Sequence, residues 1–145
     1  MATLKVTNEQ LRLIQDDLDF YARVGIGQMT TIKDHPTFAK MLKKMCKGTD
    51  GKTNYAEYHK AREIADMHLS NGRNFLLKDF DMGIHASYGI HSPDVDETCL
   101  EAYDIIQVIR HEFWKADPDR PKYVVSADVT LWTKDGDKIK CEIDQ

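Results

Sequence analysis

The sequence lacks any long apolar segment. No apolar run approaches the roughly 20 residues that an α-helix needs to cross a bilayer. The first ten residues, MATLKVTNEQ, also lack the basic region and apolar stretch of a secretory signal. We therefore expect a cytoplasmic protein that has no membrane partner.

Cysteine is scarce and widely spaced. The chain has three cysteines, Cys46, Cys99 and Cys141, without a C-x-x-C pair, which favours reduced thiols over disulfides or a structural zinc site. His85 and His91 are six residues apart, and this interval differs from the i, i+4 spacing of metal ligands on one helix. The sequence thus predicts neither a metal nor a cofactor.

Positive charge is not in excess, because 20 Lys and Arg face 24 Asp and Glu. The net charge of -4 argues against a nucleic acid polymer as partner, although a local basic pocket could hold a small anion. There is no G-x-S-x-G elbow, Walker loop or G-x-G-x-x-G motif. The acidic pairs Asp79 with Asp81 and Asp94 with Asp96 are interpreted as structural. We therefore expect no catalytic residues and no enzymatic activity.

With 41% hydrophobic and 30% charged residues, the composition predicts one folded domain over residues 1–145. Thr7 and Gln10 have the spacing of a capping box at a helix start. The helix that follows carries a broad apolar stripe, made of Leu11, Leu13, Ile14, Leu18, Phe20, Tyr21 and Val24. Gly25 and Gly27 then either kink the helix or let another backbone approach closely. A second, short helix, PTFAKMLKKM, is expected to begin at Pro36.

Two longer helices are predicted further along the chain. One extends from Tyr55 to about Leu69, where the turn-forming residues of SNGRNFL predict a break. The other covers residues 94–115, because Asp94 and Glu97 have capping-box spacing. Its apolar residues recur at three- and four-residue steps: Val95, Cys99, Ala102, Ile106, Ile109 and Phe113.

The C-terminal part alternates apolar and polar residues, a period of two that is typical of strands. YVVSADVTLWT and KIKCEI flank a turn, and a three-residue loop at 134–136 places all the apolar residues on one face. The pairs are Leu131 with Ile139, Val129 with Cys141, and Ala127 with Ile143. Residues 3–6 could add a third strand. The predicted fold class is α+β, mostly helical (four to five helices), with a small antiparallel sheet from a C-terminal β-hairpin.

Residues 83–92 read GIHASYGIHS, a repeated Gly-Ile-His triplet between two regular segments. The loop and its neighbours offer groups that suit a flat, phosphorylated ligand: arginines for phosphate, an aromatic ring for a base and donors ahead of a helix N-terminus. The candidate ligand-binding residues are Arg73, Asn74, Tyr88, Gly89, His91, Ser92, Arg110, His111 and Trp114. Each has a structural alternative as well, such as a salt bridge for Arg110, a core position for Trp114 and a tight turn for the repeat.

The segments YARVGIGQ, ASYGIHS and YDIIQVIRHEFW resemble a family of small proteins encoded by bacteriophages. Among these, the chain looks most like the sponge proteins that counter CBASS immunity by sequestering cyclic dinucleotides such as cyclic GMP-AMP. The resemblance implies an oligomer that binds a nucleotide in the host cytoplasm without hydrolysing it. It assigns no binding residue by position.

Two other functions stay open from the sequence. The chain could be an interaction protein that binds a host protein through its helical surface. It could also be a nucleotide-acting enzyme that uses His85, His91 or His111 as general acid or base. We also expect a homo-oligomer, a dimer or tetramer, for two reasons. The apolar stripe of the first helix is too wide for one covering partner, and Ile105 and Val108 lie off the main stripe of their own helix and need cover. For the ligand site, alanine at Arg73, Tyr88 or Arg110 is predicted to weaken binding while folding barely changes, and His85 is assigned to structure.

Overall fold

The computed structural model describes residues 4–77, 83–84, 86–119 and 140–143. Its elements are α1 (Asn8–Gly25), a 3-10 helix (Met29–Asp34), α2 (Pro36–Met45), α3 (Tyr55–Leu77) and α4 (Glu97–Ala116). These described residues form helices, turns and one isolated bridge between Lys47 and Thr53, with no β-strand. The described part of the chain is therefore all-α, and the α+β prediction is wrong.

The sheet prediction fails on the residues that can be compared. Residues 4–6 alternate polar and apolar side chains, yet they are not in a strand, and residues 141–143 are not in one either. Alternation describes only which face a side chain would take, whereas a strand also needs hydrogen bonds to a neighbouring strand. Most of the predicted hairpin falls on residues 120–139, outside the described residues.

The chain divides into two compact units. The terminal unit joins both ends of the chain, Met1–Gly25 and Gly89–Gln145, and the central unit is the continuous segment Ile26–Tyr88. Helices α1 and α4 belong to the terminal unit, and the 3-10 helix, α2 and α3 belong to the central unit.

The terminal unit is an antiparallel pair of helices. The predicted capping box is confirmed, since Thr7 and Gln10 exchange hydrogen bonds of 2.9 and 3.2 Å between backbone N–H and side-chain oxygen. Near the other end of α1, Tyr21 bonds Thr98 at the start of α4 (2.7 Å). The core between the helices is formed by Ala22, Ala102 and Ile106, with Leu18 and Tyr103 packed against it.

The N-cap of helix α4 lies two residues later than the sequence predicts. Its N-cap is Asp96, whose carboxylate accepts from the Thr98 N–H at 2.8 Å, rather than Asp94. Val108 lies within the buried part of α4 and Ile105 is half-buried. The need to cover Val108 with a second subunit therefore disappears, and the oligomer prediction loses that argument.

The two helices approach closely where α1 ends. A Cβ atom added at Gly25 would lie 2.1 Å from the Cys99 Sγ and 3.2 Å from the Cys99 Cβ. Two residues on, Gly27 has a φ of 85°, a left-handed conformation that commonly ends a helix and favours glycine. Neither sequence interpretation of these glycines holds as stated, because α1 ends at Gly25 without a kink and the group that approaches Gly25 closely is the side chain of Cys99 rather than a backbone.

In the central unit, the 3-10 helix and α2 pack on α3. The buried Lys33 of the 3-10 helix contacts the carboxylate of Asp66 in α3, and Arg62 of α3 pairs with Asp34. Helix α2 has the predicted bounds, with Pro36 in its first turn. The break predicted in SNGRNFL is wrong, because α3 continues through this segment to Leu77.

Candidate functional site

Arg73 connects α3 to the first half of the GIHASYGIHS segment. Its guanidinium donates to the carbonyl oxygens of Gly83 (2.7 Å), Ile84 (3.3 Å) and Ala86 (2.8 Å). It also donates twice to the Asn74 Oδ1, at 2.7 and 2.9 Å. The side chain is only 1% exposed. The arginine that the sequence assigns to phosphate is therefore bonded to the acceptors of its own loop.

Helix α3 holds this loop because two side chains on neighbouring turns donate hydrogen bonds to the same stretch of loop backbone. Ser70 lies one turn before Arg73, and its hydroxyl donates to the Ile84 carbonyl at 3.0 Å. Tyr88 then closes the central unit, since its backbone N–H donates to the Ile26 carbonyl at 2.9 Å. The ring of Tyr88 is half-buried, and His85 lies outside the described residues.

The second half of the segment forms the turn that leads into α4. Gly89 has a φ of 75°, and its carbonyl accepts from the Ser92 N–H at 3.2 Å. The Ser92 hydroxyl accepts from the Asp94 N–H at 3.3 Å, while His91 is exposed. Ser92 is thus engaged in local structure, and a ligand role for the exposed His91 stays a prediction.

Arg110 belongs to a charge cluster between α1 and α4. Its guanidinium donates to Asp19 at 2.8 Å, and the other oxygen of that carboxylate accepts from Arg23 at 2.6 Å. Asp19 and Arg110 are both about a quarter exposed, so the pair is partly shielded from water. The salt bridge that the sequence offered as the alternative for Arg110 is confirmed.

Further along α4, His111 and Trp114 stack on each other. Their ring centroids are 5.8 Å apart with an interplanar angle of 21°, and both side chains are half-buried.

At the other end of α4, burial raises the pKa of the Cys99 thiol, and the Asp96 carboxylate raises this pKa further. A thiol held protonated in this way is a poor nucleophile at neutral pH.

The nine predicted ligand residues are divided between the two units. Arg73, Asn74 and Tyr88 lie in the central unit, and the rest lie in the terminal unit. Within each unit, the structure brings together Arg73 with Asn74, and His111 with Trp114. A shared ligand site that uses all nine stays a prediction.

No protein-family model, curated protein or solved structure matches the chain. Within the part of the chain that the structure describes, no group of three His, Cys, Asp or Glu side chains is placed to hold a metal ion. None of the described helices is long and apolar enough to cross a membrane.

A surface that the sequence analysis missed lies on α2. Phe38, Met41 and Met45 follow one another at i, i+3 and i+7, and they are 45%, 55% and 79% exposed. We call these three side chains the α2 face. The signal in PTFAKMLKKM is its apolar spacing, which predicts a helix but leaves open which side of that helix stays exposed.

A second feature missed from the sequence is a buried polar group on α4. Gln107 is 2% exposed, and its Oε1 has no hydrogen-bond partner among the described residues. A buried acceptor without a partner costs about 1 to 3 kcal/mol. The polar residue within the periodic apolar pattern of α4 was the available signal.

Replacing Gln107 with methionine is expected to raise the free energy of unfolding by about 1 kcal/mol, because the change keeps the length of the side chain and removes the unpaired acceptor. Urea denaturation followed by circular dichroism measures the effect. Gln15→Met, on the partly exposed surface of α1, is the matched control and should change stability by less than about 0.5 kcal/mol. A marked loss of stability in Gln107→Met alone would contradict the expectation.

Proposed function

We propose that the chain is an interaction protein that binds an acidic partner protein through the α2 face. The observation that carries the proposal is the alignment of Phe38, Met41 and Met45, three large exposed side chains on one side of a helix. When a partner removes apolar side chains in such a row from water, their burial makes the free energy of binding more favourable. Methionine adapts to differently shaped partners because its side chain is unbranched and flexible.

The charge around α2 supports an acidic partner. Between Asp34 and Asp50 the chain has no acidic residue and four lysines, which are Lys40, Lys43, Lys44 and Lys47. All four are exposed. This basic segment stands in a chain whose net charge is -4. An acidic amphipathic helix would complement it, with apolar side chains against the α2 face and carboxylates near the lysines.

Changes on the α2 face should weaken partner binding without unfolding the chain. The partner is isolated with the native chain as bait, identified, purified and titrated against each variant. Met41→Gln and Met45→Gln should each lower the affinity about tenfold or more, since burial of a methionine side chain contributes about 1.5 to 3 kcal/mol. Added salt should weaken binding further if the lysines contribute.

Leu13→Gln provides the control, because Leu13 is an exposed apolar residue on α1, in the other unit. This variant should keep the native affinity. A partner that binds Met41→Gln and Met45→Gln as tightly as the native chain would refute docking on the α2 face.

Sequestration of a cyclic dinucleotide stays a prediction, as do the phage origin, the lack of catalysis and the cytoplasmic location. The arginines assigned to phosphate both have partners within the chain, Arg73 at loop carbonyls and Arg110 at Asp19. A thermal-shift screen with cyclic di- and trinucleotides tests the hypothesis directly. A rise in Tm with intact ligand recovered by chromatography would support a sponge, and a linear product would support an enzyme.

A further inference from the structure

The outward side of α3 carries a second exposed stripe. Ile64, Met67, Asn71 and Phe75 follow one another at i, i+3, i+7 and i+11, so they lie on one side of the helix. All four are exposed, and Phe75 reaches 72%. We call these four residues the α3 face. With the last turn to Leu77, the segment is about 20 Å long.

The α3 face contains no charged side chain. The segment Ile64–Leu77 has two charged residues, Asp66 and Arg73, and both point inward. Asp66 contacts the buried Lys33, and Arg73 bonds the carbonyls of the loop. In a chain with 30% charged residues, about four would be expected in a segment of this length. Lys60, one turn before Ile64 on the same side of α3, is exposed, so the uncharged stretch begins at Ile64 and covers about the last four turns of the helix.

We infer that the α3 face is a self-association surface, covered by the α3 face of a second copy of the chain. A two-fold axis places a surface against itself, so the surface must tolerate its own charges. The lysines beside the α2 face would repel their counterparts, whereas the α3 face brings no like charges together. An anionic membrane suits this face poorly, since interfacial helices carry lysine or arginine along the polar side. The proposal is independent of partner binding through α2.

Asn71 allows a direct test because it is exposed and lies near the middle of the segment Ile64–Leu77. Sedimentation velocity of the native chain over a range of micromolar concentrations should show a species of twice the 16.7 kDa chain mass. Asn71→Lys and Asn71→Glu should each weaken the dimer at least tenfold, because each places two like charges near the two-fold axis. Mixing the two variants should restore a dimer, since the charges then attract.

Phe75→Gln gives a variant without added charge, and it should also weaken the dimer by about tenfold. Leu13→Lys on α1 is the control and should leave the dimer intact. Circular dichroism checks that every variant keeps its helix content. A native chain that remains monomeric would overturn the inference, as would a dimer that survives Asn71→Lys and Phe75→Gln. A different protein bound to a monomeric chain at the α3 face would overturn it as well.

Discussion

Replacing Arg73 with methionine is expected to lower the free energy of unfolding by about 3 kcal/mol or more. Methionine keeps the apolar stem of the side chain and removes every donor. The carbonyls of Gly83, Ile84 and Ala86 would each lose the hydrogen bond that they accept from the guanidinium. Urea denaturation gives the free energy, and hydrogen exchange of the amides in residues 83–88 should report the release of the loop.

Two other arginine variants make this expectation specific. Arg73→Lys keeps the charge but lacks the planar fork that reaches several carbonyls at once, so it should still cost about 2 kcal/mol. Arg62→Met removes a partly exposed arginine that pairs with Asp34, and it should cost less than about 1 kcal/mol. If Arg73→Met folds as stably as the native chain and loses a nucleotide ligand instead, the original assignment of Arg73 to phosphate is right.

Gly25→Ala is expected to destabilise the chain by about 2 kcal/mol through overpacking. The new methyl group would lie 2.1 Å from the Cys99 Sγ, so Cys99 would have to rotate or α1 would have to move. The φ of Gly25 is not left-handed, so the backbone itself tolerates alanine. Thermal and urea unfolding of the single variant measure the loss.

The test of this contact is a double-mutant cycle. Combining Gly25→Ala with Cys99→Ala removes the sulfur atom, and the double variant should be about as stable as Cys99→Ala alone. Gly72→Ala is the matched control, because no atom lies within 4 Å of an added Cβ there. This control should gain about 0.5 to 1 kcal/mol, since alanine is preferred over glycine within a helix. Additive effects at Gly25 and Cys99 would contradict the contact.

The elements that the sequence predicted well have local signals. The capping box of Thr7 and Gln10 and the start of α2 at Pro36 are each determined by residues within one helical turn. The predicted break in SNGRNFL fails because distant groups compensate for poor local propensity. Ser70 and Arg73 bond loop backbone 10 to 14 residues away, which stabilises a helix that Gly72 alone would weaken.

The candidate site shows the same limit. The sequence assigned Arg73 to a ligand phosphate, whereas the acceptors that the structure shows for it are carbonyls whose position depends on the path of the loop. The partner of Arg110 is Asp19, 91 residues away in the chain. Neither residue spacing nor composition shows that two residues so far apart in the chain form a pair. The apolar spacing of α2 is visible in the sequence, but which of its apolar side chains stay exposed depends on the tertiary packing, which a single sequence does not show.

The hydrogen bond between Tyr88 and Ile26 closes the two ends of the central unit, which is one continuous segment. The terminal unit contains α1 and α4, which precede and follow that segment in the sequence. During synthesis, the ribosome therefore completes the whole central unit before α4 exists. Helix α1 must wait, with its apolar side uncovered, for more than 70 further residues. Nascent chains that stall within the central unit should thus be the ones that require chaperones.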